Sequence, residues 1–208
     1  MGRIYQRIFA AVYDKVMHGT EQHLAVNRTR LVSSLKGSIL DVGFGTGANF
    51  PFFDKEASII AIEPSMPMMK KAQLKFGDLP NVRMYNYGVN DDKVDVLIEE
   101  QSLDAIVCTL VLCTINDPER ALRRFNKWLK PNGRLVIMEH IKSKHPVKGR
   151  LQELFNPAWK VIGDGCNLTR HTDHLIESLG FLPEEKQYFT RTISFVEGVY
   201  RKPFLPEE

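Results

Sequence analysis

Glycine occupies alternate positions of Asp41-Val42-Gly43-Phe44-Gly45-Thr46-Gly47-Ala48, directly after the apolar run that begins at Ile39. A strand ending in such a segment can turn sharply and let a ligand approach its backbone, which side chains there would prevent. The spacing predicts a nucleotide-type loop between a strand and a helix, and with it an α/β fold. The rest of the chain continues the alternation. Ile59 to Ile62 runs into Glu63-Pro64 as a second strand, Val82 to Tyr85 is a weaker third and Ala105 to Cys108 a strong fourth. Arg134 to Glu139 follows the turn Lys130-Pro131-Asn132-Gly133 as a fifth, and Leu182 to Phe189 with Phe195 to Arg201 reads as a closing hairpin.

The sharpest helix boundary is Asp117-Pro118, where a capping carboxylate precedes a proline whose missing N–H costs nothing at the first helical position. Ala121, Leu122, Phe125, Trp128 and Leu129 then face the sheet, and Arg120, Arg123, Arg124 and Lys127 face water. Ahead of the first strand, Ile4, Ile8, Ala11 and Val12, then Leu24, Leu31, Val32 and Leu35, predict two amphipathic helices. With no internal repeat and no long linker, residues 1–208 form one domain in which 1–36 are a helical lid.

Composition removes several function classes. At 43% hydrophobic and 25% charged residues the chain can bury a core, which excludes disorder. The 28 Lys and Arg against 25 Asp and Glu, with no basic run interleaved with aromatics, exclude nucleic acid as a partner. The basic excess sits in Arg3, Arg7, Lys15, Arg28, Arg30 and Lys36, opposed there only by Asp14 and Glu21. That distribution allows the lid to rest peripherally on an anionic membrane while collecting an amphiphilic substrate. The longest apolar stretch, Ala105 to Ile115, falls short of the roughly 20 residues needed to span a bilayer, and the first segment lacks the apolar stretch of a secretion signal. Cys108, Cys113 and Cys166 form no CxxC pair, so a reducing compartment, the cytoplasm, is expected.

Gly43, Gly45 and Ala48 satisfy the dinucleotide pattern, so the loop alone does not separate NAD from other adenosine cofactors. Asp41, two residues earlier, would repel a pyrophosphate and suits a donor carrying a sulfonium and an ammonium, which favours S-adenosylmethionine. Glu63, about 22 residues further on, has the spacing at which an acid meets a ribose edge, where it can accept from both hydroxyls. It could equally cap the helix after Pro64-Ser65. Met66 and Met68 either flank the adenine or enter the core. A tyrosine four residues before a lysine, one signature of hydride transfer, is absent from the sequence. NAD remains the second choice.

Three motifs in order, Ile39 to Gly47, Glu63-Pro64-Ser65 with Met68-Met69 and Ala72, and Leu129 to Leu135, resemble the class I S-adenosylmethionine-dependent methyltransferases. More narrowly, Cys108 to Cys113, Met138-Glu139-His140 and Asp164 to Arg170 resemble the methyltransferase-like 7 thiol methyltransferases and related bacterial phospholipid N-methyltransferases. The resemblance implies a Rossmann-like seven-stranded sheet of order 3-2-1-4-5-7-6, strand seven antiparallel, with helices on both faces. It also implies a donor site from Asp41, Gly43, Phe44, Gly45, Gly47, Glu63, Pro64, Met66, Val89, Asn90 and Cys108. In that site the backbone of Gly43 and Gly45 underlies the methionine moiety, Glu63 holds the ribose and the Cys108 carbonyl meets the ammonium. An acidic adenine contact expected at Val89 is missing, and Asn90 or Asp91 can accept from the amine in its place, Asn90 being favoured.

The implied reaction is in-line methyl transfer to a thiol, an amine or a lipid headgroup, leaving S-adenosylhomocysteine. The contrasting readings are a non-catalytic S-adenosylmethionine-binding module and an NAD-dependent oxidoreductase. Positioning is the protein's main task in such a transfer, and a thiolate or neutral amine needs no base. If a base is used, His140 at the end of strand five is the candidate, against the alternative of a histidine simply bonded at a strand end. Tyr13 in the lid, Asn167 and Arg170 are candidates for the substrate side, the last two equally for capping a helix that begins near Thr172. His171, His174 and Cys166 lack a fourth partner, and no metal site is expected.

Overall fold

Four consecutive buried residues, Ile39 to Val42, send side chains alternately to the two faces of a central strand, so both faces must be covered. In the computed structural model, which describes residues 3–203, that strand is the third of seven in the order β3-β2-β1-β4-β5-β7-β6. The strands are β1 (Ser38–Val42), β2 (Ser58–Ile62), β3 (Val82–Tyr85), β4 (Leu103–Thr109), β5 (Leu129–His140), β6 (Leu182–Thr190) and β7 (Ser194–Arg201). β1 to β5 are mutually parallel, and β7 is antiparallel to β5 and β6. The implied Rossmann-like order is the one found. The helices are α1 (Arg3–Val32), α2 (Met66–Phe76), α3 (Val94–Leu97), α4 (Pro118–Trp128), α5 (Pro146–Ile162) and α6 (Thr172–Ser178).

The alternation of β1 divides the core in two. Leu40 and Val42 join Ile106, Leu135 and Ile137 under Leu122, Phe125 and Trp128 of α4 and Ile176 of α6. Ile39 joins Ile59, Ala105 and Val107 under Leu24, Leu31 and Val32 of α1 and Met69 and Ala72 of α2. Asp41 shares the parity of Ile39 and therefore points toward the α1 face. The edge strand β6 is exposed along nearly its whole length and carries Glu184, Glu185 and Lys186, charges that discourage pairing with another chain.

Four expectations are corrected. The segment before β1 is one helix of 30 residues, not two, because it holds no proline and Gly19 only weakens a helix that packing maintains. The glycine loop leads into a single 3-10 turn, Phe50–Phe52, rather than a full helix. Phe44 and Phe50 turn inward here, with ring centres 5.4 Å apart, and Phe50 meets Phe76 at 5.6 Å. β5 begins five residues early: Leu129 already pairs with Leu103, and the turn at Asn132 (φ 63) is an excursion before Arg134 pairs with Ala105. On α4 the Asp117 carboxylate does accept from the Arg120 N–H at 2.9 Å. Arg124, however, is buried rather than solvated, stacked 4.9 Å from the Trp128 ring centre and paired with Asp95 at 3.0 Å.

Candidate functional site

The carboxyl ends of β1, β2 and β4 meet at a cradle whose backbone only glycine tolerates. Gly43 and Gly45 have φ of 65° and 56°. A Cβ on Gly43 would lie 2.2 Å from Val111 Cγ2, so the loop closes directly on the segment leaving β4. Gly47 has a different task. A Cβ there would lie 2.7 Å from the Phe76 ring and 2.9 Å from Phe50, so its missing side chain makes room for the aromatic core.

Glu63 ties the two loops together. Its carboxylate accepts from the Gly45 N–H at 3.0 Å and the Ser65 N–H at 2.7 Å. Burial pushes its pKa to about 7 despite those two bonds. Glu63 thus bonds the N-cap residue of α2 and the glycine loop together. Asp41 is fully buried, with Oδ1 accepting from Asn49 Nδ2 at 2.8 Å, and burial raises it to about 7 as well. Its Oδ2 is buried with no partner among the described residues, and so is Asn90 Oδ1, while Asn90 Nδ2 donates to the Asp117 carbonyl at 2.9 Å.

Unmet acceptors in a buried cleft are costly and point to a ligand that brings donors or positive charge. S-adenosylmethionine, with ammonium, sulfonium, ribose hydroxyls and adenine amine, fits this set, whereas a pyrophosphate does not. Met66 is 43% exposed and therefore available to line the site, but Met68 is buried. Val89 and Phe44 direct their side chains into the core and can offer only backbone.

α1 roofs the cradle. Arg28, 2% exposed, donates to Glu21 at 2.9 Å, to Asn49 Oδ1 at 2.6 Å and to Thr109 Oγ1 at 2.7 Å. Since Asn49 also holds Asp41, the helix, the glycine loop and the end of β4 share one network. Nearer the N-terminus, Asp14 accepts from Thr46 at 2.9 Å, Lys75 at 2.9 Å and Lys71 at 3.3 Å. Burial raises the Tyr13 phenol of α1, with the negative charges of Glu21 and Glu63 adding to the rise.

Across the cleft, Glu139 at the end of β5 collects the N–H groups of Val111, Leu112 and Cys113 at 2.9, 2.8 and 3.1 Å. Burial still raises it to about 7. His140 turns its Nδ1 to two sulfurs, 3.3 Å from Cys166 Sγ and 3.9 Å from Cys113 Sγ, and these sulfurs are 3.4 Å apart. The Cys113 S–H lowers Cys166, assisted by His140 against the effect of burial, and Cys113 is correspondingly raised. His171 and His174 pair with each other in a T-shaped contact. Asn167 Oδ1 accepts from Asn156 and Thr169, and Arg170 donates to the Leu112 carbonyl. α6 begins at Thr172 as expected, but its cap is His171, without a side-chain bond, so neither Asn167 nor Arg170 caps it.

Sequence reading missed the Arg28-Asn49-Asp41 network and the Cys113-His140-Cys166 cluster. Both join residues far apart in the chain, and each residue alone has a plain surface or core reading.

A methyltransferase domain model matches residues 40–137. Human thiol S-methyltransferase TMT1A is 30% identical over 90% of this chain and 78% of its own length. The chain belongs to the class I S-adenosylmethionine-dependent methyltransferases. Rat thiol S-methyltransferase TMT1B is 32% identical over 72% of the chain, and that match spans 64% of the rat protein, slightly under two thirds of its length. An S-adenosylmethionine-dependent methyltransferase structure from Thermotoga maritima, 21% identical, superposes with a TM-score of 0.67 over 95% of this chain and 99% of that one. This methyltransferase is accordingly an enzyme with S-adenosylmethionine as cofactor.

Proposed function

We propose that this methyltransferase acts on the sulfur of a small, amphiphilic thiol. The observation that carries the reading is that sulfur dominates the acceptor side: His140 Nδ1 faces two sulfurs, Asn167 Oδ1 is taken by Asn156 and Thr169, and one Arg170 N–H is taken by the Leu112 carbonyl. What surrounds them is apolar, Leu168 with Trp159 and Ile193. An alcohol or phenol would need a base held ready for it, whereas a thiol, with a pKa of about 8.5, gives up its proton to water and binds as the thiolate, whose soft sulfur suits this wall. The two TMT1 relatives carry thiol S-methyltransferase in their names, which supports the same class.

S-adenosylmethionine, when bound, supplies an electrophilic methyl group on a sulfonium. Glu63 would hold the ribose, the backbone of Gly43 and Gly45 the methionine moiety, Asp41 and the Cys108 carbonyl its positive end. Asn90 would accept from the adenine, with the Val89 backbone, Pro64 and Met66 along its edge. α1, with Tyr13 on its inner side, excludes water and so strengthens each of these contacts. The base role of His140 is the weaker option, because its Nδ1 already faces sulfur. Residues 1–208 act as one domain with 1–36 as its cover, in a reducing compartment such as the cytoplasm, where the three buried cysteines stay free.

The amphiphilic character rests on the outer surface. Ile4, Ile8, Val12 and Val16 form an exposed row on α1, and Leu151, Leu154 and Phe155 are exposed on α5. The Tyr5 hydroxyl donates to the Val161 carbonyl at 2.5 Å, so the two helices adjoin. Arg7, Lys15, Lys148 and Arg150 are exposed alongside, matching an anionic membrane surface. No helix among the described residues is long and apolar enough to cross a membrane, so this contact is peripheral.

The test is mass-spectrometric detection of methylated product from matched panels of alkyl thiols, amines and phenols. Thioether formation in preference to N- or O-methyl products is expected, and turnover of amines alone overturns the thiol reading. Co-sedimentation with phosphatidylserine-containing vesicles, weaker with phosphatidylcholine alone, checks the surface.

A further inference from the structure

Cys113, His140 and Cys166 belong to three separate stretches of chain: the loop after β4, the last residue of β5 and the loop between α5 and α6. Their ligand-type atoms lie within 4.8 Å of one another. In a tetrahedral zinc site with Zn–S near 2.3 Å and Zn–N near 2.0–2.1 Å, neighbouring donor atoms stand about 3.5–3.8 Å apart. The three separations here, 3.4, 3.3 and 3.9 Å, already bracket that edge length. Small side-chain adjustments suffice to seat an ion.

The backbone around the trio is fixed independently of any ion. The Cys113 N–H is held by Glu139 and its carbonyl accepts from the Asn167 N–H at 2.9 Å. The Cys166 N–H is bonded to the Gly163 carbonyl at 3.0 Å, and the His140 ring lies against Phe195 with centres 4.6 Å apart. Both cysteines are buried and His140 is half-buried, so one side of the cluster faces outward. Two sulfurs and an imidazole select a thiophilic ion over magnesium or calcium, which prefer oxygen.

We propose that Cys113, Cys166 and His140 bind a zinc ion as three protein ligands, leaving its fourth position to water or to the sulfur of the acceptor. Both cysteines bind as thiolates, each S–H proton still present passes to solvent as its metal–sulfur bond forms, and no oxidant takes part. The site borders the donor cradle, because Val111, which packs on Gly43, is two residues from Cys113 in the segment that Glu139 gathers. The role of the fourth position rests on the thiol-acceptor reading, but the metal site does not. Cys113 and Cys166 could instead close a disulfide by moving from 3.4 Å to about 2.05 Å, and that bond would exclude the ion.

The experiment titrates cobalt(II) into the full-length protein, reduced, stripped of metal and shown by thiol counting to have its cysteines free. One equivalent is expected to produce a thiolate-to-cobalt charge-transfer band and intense tetrahedral ligand-field bands, both erased by zinc(II). Cys113→Ser and Cys166→Ser should each weaken cobalt binding by more than about a hundredfold, the upper loss seen when only a ligand-orienting neighbour is removed. His140→Ala should keep the charge-transfer band and alter the ligand-field bands. A preserved thermal shift with S-adenosylhomocysteine shows that each variant is folded. Absence of the charge-transfer band in reduced, folded wild type overturns the proposal, as does equal binding by the Cys113→Ser/Cys166→Ser double variant. Cobalt bound at the trio without thiol turnover leaves the metal site standing and defeats only the acceptor reading.

Discussion

The two halves of the cleft are built on opposite plans. On the donor side, buried acceptors are left unmet: Asp41 Oδ2 and Asn90 Oδ1 have no partner among the described residues. On the acceptor side the Glu139 carboxylate and Asn167 Oδ1 are engaged internally, Arg170 is anchored to the Leu112 carbonyl, and two sulfurs stand together against His140 Nδ1. One half is thus shaped for a charged, hydrogen-bonding guest that completes it. The other is self-sufficient and presents a soft surface. The contrast accounts for how one donor can serve a scaffold while the acceptor varies.

The strongest way to break this comparison is Glu63→Ala. It removes a charged acceptor and frees the Gly45 and Ser65 N–H groups, each bond being worth about 1.5–3 kcal/mol. Binding of S-adenosylhomocysteine should fall by about two orders of magnitude or more in isothermal titration, and an unchanged affinity would falsify the donor assignment. Gly43→Ala comes next. The new Cβ meets Val111 in a left-handed backbone conformation, and a cost of about 1–3 kcal/mol should appear as a lowered Tm together with weakened donor binding.

A pH series sharpens the contrast further. Asp41 and Glu63, both raised to about 7, stabilise the donor-free fold in their protonated forms. That contribution is full below about pH 4 and is lost as pH rises through 7. A cationic donor favours the ionised forms, so its affinity should climb by up to about tenfold per pH unit for each proton released, then level off above 7. Titration between pH 5.5 and 8.5 reads this directly, and Glu63→Gln should flatten the slope. A donor affinity that falls across this range contradicts the scheme.

Two smaller effects separate the halves. Asn90→Ala should cost about 1 kcal/mol of donor binding, roughly fivefold in Kd, with only a small fall in Tm from the single lost bond to the Asp117 carbonyl. Asn167→Ala should behave in reverse, lowering Tm by a few degrees while the KM for a thiol stays within about twofold, because its bonds are all internal. A selective rise in KM would return Asn167 to the substrate side.

The same division explains what could be read from the sequence. The donor half is local: Gly43, Gly45 and Glu63 follow strands whose apolar runs announce them, and the strand order is what the family resemblance of those motifs implies. The acceptor half is assembled from residues 113, 139–140 and 166–170, whose nearness depends on the sheet being formed. Alternating glycines after an acid at a strand end signal a ligand, whereas Cys113, four residues beyond the apolar β4, signals only core. Misplaced boundaries have similarly physical origins. The apolar residues of 4–12 and 24–32 read as two helices and form one, and Arg124 reads as solvated because its partners Asp92 and Asp95 lie on another segment.

The fastening of α1 has a mechanical consequence. Near its far end Arg28 grips Asn49 and Thr109 out of reach of solvent, while Asp14 meets Lys71 and Lys75 where 35% of its side chain is exposed. Dissolved ions weaken the second attachment and scarcely touch the first. The helix is therefore fastened unevenly, by a buried rivet at one end and by a salt-sensitive clasp at the other.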